Sequence, residues 1–204
     1  MSIPARRVCM DDNPMRGLTM SKLVLIMDVS LDGMVARPDA FGAGGWGVPP
    51  EDPALKARKL GWLAEAGMHL MGRTTYQEMA GFWPTADDEY AKPMNDLPKV
   101  VFSTTLTKAD WPQSTIASGD LADEIGALKR QPGKDLIAWG GAAFVQSLSR
   151  HRLIDEYRLI VQPVALGAGL PLFAGFTEPF VLDLVEARSY GDSSVLHIYR
   201  PAAR

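Results

Sequence analysis

The sequence predicts a mixed α/β fold with a central, largely parallel sheet and helices on both of its faces. From Lys22 onward, short apolar runs typical of buried strands alternate with segments of helical period. Helices between consecutive strands supply the crossovers that parallel strands need. The last two predicted strands are separated only by the turn at 189–193, so an antiparallel hairpin is expected at the end of the chain.

Short runs of β-branched and other apolar residues predict eight strands. They span 23–27, 68–71, 99–103, 115–118, 135–139 and about 154–164, 178–187 and 193–200. The first run is entirely apolar, as expected for a strand buried on both faces.

Four helices are predicted between these strands, each from its end signals. The first begins in the Pro49–Pro53 segment, where Glu51 and Asp52 are expected in the first turn. The second runs from Arg73 to Met79 and ends at Gly81, the third is capped by Asp120 and stopped by residues 131–133, and the fourth follows Gly140-Gly141. Apolar side chains recur at helical spacing in three of them: Leu55, Trp62 and Leu63; Leu121, Ile125 and Leu128; Phe144, Val145 and Leu148.

Composition excludes several classes of protein. The 204 residues carry 21 basic and 24 acidic side chains, a net charge of −3, and they include no basic run that would bind a nucleic-acid backbone. A single cysteine, Cys9, leaves no intrachain disulfide and fits a reducing, cytoplasmic location. Three widely spaced histidines predict no metal site, and no apolar run approaches the roughly 20 residues that span a membrane.

Residues 1–20 read differently from the rest, with prolines and charges but no sustained period. We interpret them as a disordered extension and residues 21–204 as one domain. A short arm that packs on a partner subunit is the alternative.

Two strand-to-helix junctions carry the chemical signal. In Gly72-Arg73-Thr74-Thr75, a strand ends at glycine and a helix begins, so free N–H groups, the helix dipole and an arginine are available to a phosphate. In Gly140-Gly141-Ala142-Ala143, small residues allow a pyrophosphate to lie directly on the main chain. Ser103-Thr104 follows a third strand in the same way. Ligands of open α/β sheets bind at the carboxyl ends of the strands, where these junctions are expected.

The order of these motifs resembles a known family. Ser30-Leu-Asp-Gly33, Gly72-Arg-Thr-Thr-Tyr76, Gly140-Gly141 and Leu166-Gly-Ala-Gly-Leu-Pro-Leu-Phe173 follow one another as in the dihydrofolate-reductase-like superfamily. The resemblance covers about 21–200 and is greatest to the reductase domain of the bifunctional riboflavin-biosynthesis deaminase/reductase. It implies a three-layer α/β/α fold and a homodimer, for which the closing strand pair and apolar positions expected to be exposed around Leu172 and Phe173 provide a surface.

The resemblance also implies NADPH as cofactor. Gly72, Arg73, Thr74 and Thr75 would contact its phosphates, with Arg73, Ser103 and Thr104 near the adenosine 2′-phosphate. Gly140 and Gly141 would lie under the pyrophosphate, joined by a cis peptide bond.

Reduction of a C=N bond also needs a proton donor. Trp46-Gly-Val-Pro49-Pro-Glu51 has the spacing of the folate reductases, which makes Glu51 one candidate; the alternative is that Glu51 only complements a helix N-terminus. The riboflavin-pathway reductases carry an acid at the position of Asp32, which is otherwise a turn-forming aspartate. Asp28 is a third candidate because it interrupts an apolar strand.

The resemblance therefore implies an NADPH-dependent reductase, and we expect its substrate to be a pyrimidine- or pteridine-like ring. Five aromatic residues are available for a flat slot: Phe41, Trp46, Phe82, Trp83 and Trp139. The glycine-rich loop at 36–50 is predicted to be a lid over the ring. The family usually has glutamate where Trp139 stands, which puts a ribosyl-phosphate substrate in question. A dihydrofolate reductase that uses Glu51 and a nucleotide-binding module without turnover are the alternatives.

Overall fold

The structure is a computed structural model that describes residues 20–37, 43–191 and 194–203. The proposed extension at 1–19, residues 38–42 of the predicted lid and part of the last turn lie outside these ranges. The strands are β1 (Leu23–Ser30), β2 (Met34–Ala36), β3 (Ala66–Gly72), β4 (Lys99–Phe102), β5 (Ser114–Ala117), β6 (Asp135–Ala138), β7 (Glu156–Gln162), β8 (Leu170–Pro171), β9 (Leu182–Tyr190) and β10 (Ser194–Pro201). The helices are α1 (Pro53–Ala64), α2 (Arg73–Phe82), α3 (Ala91–Asp96), α4 (Leu121–Arg130) and α5 (Ala142–Arg150), with 3₁₀ turns at Ala43–Trp46 and Trp83–Thr85.

Eight strands form one mixed sheet in the order β5-β4-β3-β6-β1-β7-β10-β9. The strands from β5 to β7 are parallel, whereas β10 pairs antiparallel with both β7 and β9. The predicted parallel sheet with a C-terminal hairpin is therefore confirmed. β2 and β8 form a separate antiparallel pair.

Two apolar cores flank the sheet because side chains alternate along β1. Leu23, Leu25 and Met27 face one core, which α4 and α5 cover with side chains such as Ile125 and Leu148. Val24 and Ile26 face the other core, which α1, α2 and α3 cover. The result is the three-layer α/β/α arrangement that the sequence predicts.

Three details of the predicted elements are corrected. Helix α1 begins only at Pro53: Asp52 is its N-cap and accepts the Ala54 N–H at 2.8 Å, so neither Glu51 nor Asp52 lies in the first turn. Helix α2 does not end at Gly81 but continues to Phe82, and a 3₁₀ turn follows it at Trp83–Thr85. Leu172 is 2% exposed and packs in the core, so of the predicted apolar surface pair only Phe173 is exposed.

Candidate active site

One cavity of about 770 Å³ opens at the carboxyl ends of the central strands. Asp28 of β1, Gly72 of β3, Phe102 of β4 and Trp139, which follows β6, all line it. These strands are neighbours in the parallel part of the sheet, so their ends meet along one edge. This is where open α/β sheets bind ligands.

The N-terminus of α2 forms one wall of the cavity through Gly72, Arg73, Thr74 and Thr75. Gly72 is the N-cap and supplies no side-chain acceptor, so the first N–H groups of the helix have no cap. Arg73 is exposed and forms no ion pair within the described part of the chain. The wall therefore offers N–H donors and a guanidinium to an anion.

The N-terminus of α5 forms a second wall through Gly140, Gly141, Ala142 and Ala143. Gly141 is the N-cap, again without a side-chain acceptor, and it has a positive φ of +91°. In contrast, Asp52 and Asp120 cap α1 and α4 with their carboxylates. The two helix N-termini that form these walls thus lack a side-chain cap, as does the short α3, whose N-cap residue is Tyr90.

The two junctions touch each other. A Cβ atom added at Gly141 would lie 2.6 Å from Thr75 Oγ1, and one added at Gly72 would lie 3.1 Å from Phe144 Cβ. Only glycine allows this approach at Gly141, where both space and φ exclude a side chain. The expected cis peptide bond is wrong: no cis peptide occurs among the described residues, and the positive φ of Gly141 makes the turn instead.

The third predicted phosphate contact, Ser103-Thr104, follows a cavity residue but does not line the cavity itself. Ser103 Oγ accepts the N–H groups of Thr105 at 3.2 Å and Leu106 at 2.9 Å, and neither Ser103 nor Thr104 lines the cavity. The preceding Phe102 does, stacked on Phe144 with ring centroids 5.1 Å apart.

A buried histidine ties two walls of the cavity together. His69 is 0% exposed; its Nδ1 accepts the Trp139 Nε1–H at 2.8 Å, and its Nε2 lies 3.2 Å from the Pro93 carbonyl. These partners require the neutral tautomer with hydrogen on Nε2. Burial lowers the pKa of His69 to about 4, which favours that neutral form.

Glu51 reaches the cavity only through its partners. Its carboxylate accepts the Tyr90 O–H at 2.8 Å and pairs with Lys59 Nζ at 2.7 Å, and both Tyr90 and Lys59 line the cavity. Glu51 itself does not. Burial first, and then the hydrogen bond to Glu51, raises the pKa of Tyr90, so its hydroxyl stays protonated.

Two other carboxyl groups line the cavity directly. Asp28 Oδ1 accepts the Gln162 side-chain N–H at 2.7 Å, and the charge of Asp28 is among the causes that raise the Tyr90 pKa. Glu78 has no partner within the described residues, and burial raises its pKa. Asp28 thus lies in the cavity lining, as a third acid candidate must.

Asp32 lies outside the cavity and holds a turn. Its carboxylate accepts the Ser30 hydroxyl at 2.6 Å and the N–H groups of Leu166 at 3.1 Å and Gly167 at 2.8 Å. The bond from Ser30, followed by the two N–H groups, lowers the Asp32 pKa to about 2. A carboxylate bound in this way suits the turn-forming role better than that of a proton donor.

The predicted aromatic slot is formed in part by other residues. Trp83 and Trp139 line the cavity, whereas Phe82 is 51% exposed elsewhere, Trp46 is buried outside the cavity and Phe41 lies outside the described residues. Tyr90, Lys59, Glu78 and His69 are additions that no motif in the sequence marks. Tyr90 and Lys59 become apparent only when α1 and the start of α3 are brought together.

The described residues contain no cluster of three potential metal ligands and no helix long and apolar enough to cross a membrane.

Comparison with known proteins connects this geometry to a family. The model of the family described as the RibD C-terminal domain matches residues 21–196. The uncharacterized protein YyaP of Bacillus subtilis is 28% identical over 187 residues, 89% of this chain and 96% of the relative. A provisionally named riboflavin biosynthesis protein from Shewanella sp. PV-4 superposes with a TM-score of 0.71 at 23% identity, over 90% of this chain and all of that one.

A second solved structure is the Thermotoga maritima diaminohydroxyphosphoribosylaminopyrimidine deaminase/5-amino-6-(5-phosphoribosylamino)uracil reductase. Its TM-score is 0.64 at 15% identity, over 90% of this chain and 57% of that one. At these identities the two structures support the fold.

Proposed function

Since this chain belongs to the RibD C-terminal domain family, we propose that it is an NADPH-dependent reductase of a small heteroaromatic ring. The observation that carries the proposal is the meeting of two uncapped helix N-termini, with Arg73, in one cavity. Main-chain N–H groups from both helices are suited to a diphosphate bridge, because that group presents several acceptor oxygens to donors on either side.

The residues of the cavity fit the cofactor. Glycine at 72 and at 141 lets the two helix N-termini approach each other, because an added Cβ would meet Phe144 or Thr75, so both sets of N–H groups line one cavity. We assign to Arg73, which lines the cavity, the additional phosphate that distinguishes NADPH from NADH. When bound, the reduced nicotinamide supplies a hydride to the substrate.

The chain itself must provide the proton. We propose that Tyr90, which lines the cavity, delivers it, and that Glu51, which accepts the Tyr90 hydroxyl and pairs with Lys59, positions Tyr90. Glu51 is bonded to both, so it orients the Tyr90 hydroxyl and links it to a second proton carrier. The folate-reductase arrangement, in which Glu51 would contact the substrate itself, is not favoured because Glu51 does not line the cavity.

Calorimetric titration with NADPH and NADH tests cofactor binding. We expect NADPH to bind at least about tenfold more tightly than NADH, and Arg73→Gln to remove most of that preference. Gly141→Ala should weaken both, whereas Gly61→Ala, in an exposed turn of α1, should change neither. Absence of NADPH binding to the unaltered protein would sink the proposal.

Turnover is then assayed by NADPH absorbance against an aminouracil and against dihydrofolate. Tyr90→Phe and Glu51→Gln should both lower kcat with little change in KM, and both should alter the dependence of kcat on pH. Asp32→Asn should leave the dependence of kcat on pH unchanged. Equal loss in all three variants would point to general damage instead. NADPH binding without oxidation of either compound favours the non-catalytic module.

A further inference from the structure

Beyond the two helix N-termini, the cavity has a second set of walls, which we call the aromatic end: Trp83, Tyr90, Met94 and Trp139. The rings of Trp83 and Tyr90 meet edge to face, with centroids 6.4 Å apart. Met94 lies on α3 next to Pro93. His69 bonds to the Pro93 carbonyl and to the Trp139 indole, so it connects α3 to Trp139. All four side chains line the same cavity.

Trp139 offers this surface an apolar ring face. The one polar atom of its side chain, Nε1, already donates its hydrogen to the buried His69. Because the neutral His69 also bonds to the Pro93 carbonyl, it fixes the indole relative to α3. A fixed indole that lines one cavity with a thioether and two further aromatic rings is suited to a planar ring.

The charges at the aromatic end disfavour a phosphate. Lys59, the cation beside Tyr90, is paired with Glu51 at 2.7 Å, and Arg37 has an interaction partner of its own. Asp28 and Glu78 add two carboxyl groups to the lining. A phosphate ester here would meet these two carboxylates, and the described cations of the lining other than Arg73, namely Lys59 and Arg37, both already have partners.

Asp28 provides the polar contact for the ring. Its Oδ1 is taken by the Gln162 amide at 2.7 Å, and its Oδ2 has no hydrogen bond within the described residues. A half-buried carboxylate oxygen of this kind accepts an N–H group.

We propose that the aromatic end binds a small planar ring that carries N–H or amino groups and no phosphate. The inference rests on the proposed function, because it leaves Arg73 and the helix N-termini to the dinucleotide. It differs from the substrate in the name of the Thermotoga maritima relative, which is a phosphoribosyl compound.

The test compares two ligands on the NADP⁺-saturated protein by calorimetry: 5,6-diaminouracil and its phosphoribosyl derivative, 5-amino-6-(5-phosphoribosylamino)uracil. We expect the bare ring to bind at least as tightly as the phosphoribosyl compound. Trp139→Leu should weaken ring binding about tenfold and Trp139→Phe much less, since Phe keeps a ring face. Asp28→Asn should weaken it several-fold, whereas Asp87→Asn, at an exposed aspartate, should have no effect.

Two results would overturn the inference while the proposed function stands. One is that the phosphoribosyl compound binds about tenfold more tightly than the ring, which would require a phosphate site. The other is that neither compound binds to protein that does bind NADP⁺. If NADP⁺ itself fails to bind, the proposed function is wrong, and the same titrations on the protein alone still decide whether the aromatic end takes the ring.

Discussion

Asp32 and Glu51, both candidate proton donors from the sequence, have different environments in the structure. Asp32 receives three hydrogen bonds from its own turn and from the 166–167 segment. Glu51 instead joins a tyrosine and a lysine that face the cavity. The number and origin of the donors around a carboxylate thus separate a structural role from a chemical one.

The donors around Asp32 make it a source of acid sensitivity. Its pKa is lowered to about 2 from the ordinary 3.8, so its contribution to the free energy of unfolding is complete above pH 3.8 and is lost as pH falls through 2. We expect Asp32→Asn to lower stability at neutral pH and to reduce the loss between pH 4 and 2. Denaturant unfolding over a pH series measures the stability at neutral pH and its loss towards pH 2, with Asp87→Asn as the control. If Asp32→Asn lowers the free energy of unfolding equally at every pH, Asp32 is not the source of the acid sensitivity.

His69 is sensitive over a different interval. Burial lowers its pKa to about 4, against 6.5 for an exposed imidazole, so the unfolded chain binds more protons between these values and stability falls as pH drops from 6.5 to 4. The loss is roughly 3 kcal/mol for a shift of this size.

His69→Gln should remove this pH dependence, since the amide can bond to both Trp139 and Pro93 without titrating. His69→Phe should be less stable at pH 7 by roughly 1–3 kcal/mol for each partner left unpaired. The exposed His151→Gln serves as the control in the same unfolding experiment. An unchanged slope in His69→Gln would falsify the role of His69.

At the scale of elements, the central strands and four of the helices are predictable because their signals are local. Asp120 caps α4 as its sequence pattern indicates, and Leu55 and Leu63 face the core at the predicted spacing. Helix α3 was missed: with six residues and a proline inside, it is stabilised by packing of Met94 and by the His69 bond rather than by periodicity. The junction motifs were predictable; the contact of Glu51 with Tyr90, 39 residues apart, was not.

Glycines in helical segments give a prediction at this scale. Gly61 lies inside α1, where an added Cβ would meet nothing within 4 Å, so Gly61→Ala should raise stability by about 0.5–1 kcal/mol. Gly141→Ala should lower it, because the backbone has φ +91° and Thr75 Oγ1 lies 2.6 Å from the new atom. Thermal unfolding of both variants without ligand checks the contrast, and stabilisation by both would contradict the geometry.

At the scale of the whole molecule, β9 forms one edge of the sheet and carries exposed apolar side chains. Leu184 is 57% exposed and Val185 48%, and the preceding Val181 is 65% exposed. Unpaired strand edges of this kind associate readily. This edge is therefore where we expect the homodimer to form.

We expect the protein to form a homodimer through this edge and Val185→Lys to convert it into a monomer, because the substitution places a charge on the exposed apolar part of β9. Leu31→Lys, at a residue 72% exposed in the Ser30–Gly33 turn, should leave the dimer intact. Sedimentation velocity at micromolar concentration distinguishes the species. A monomeric parent protein, or equal effects of the two substitutions, rules out this edge.

The uncapped starts of α2 and α5 have a thermodynamic consequence. In α1 and α4, the carboxylates of Asp52 and Asp120 accept the first N–H groups of the helix. The corresponding N–H groups of α2 and α5 have no such side-chain acceptor and depend on solvent or on a bound molecule. A dinucleotide bound there would supply acceptors to these N–H groups in the folded state only, so its binding free energy would be added to the free energy of unfolding. The melting temperature should then rise with the logarithm of dinucleotide concentration, and the lifetime of the chain in a cell would follow the supply of its coenzyme.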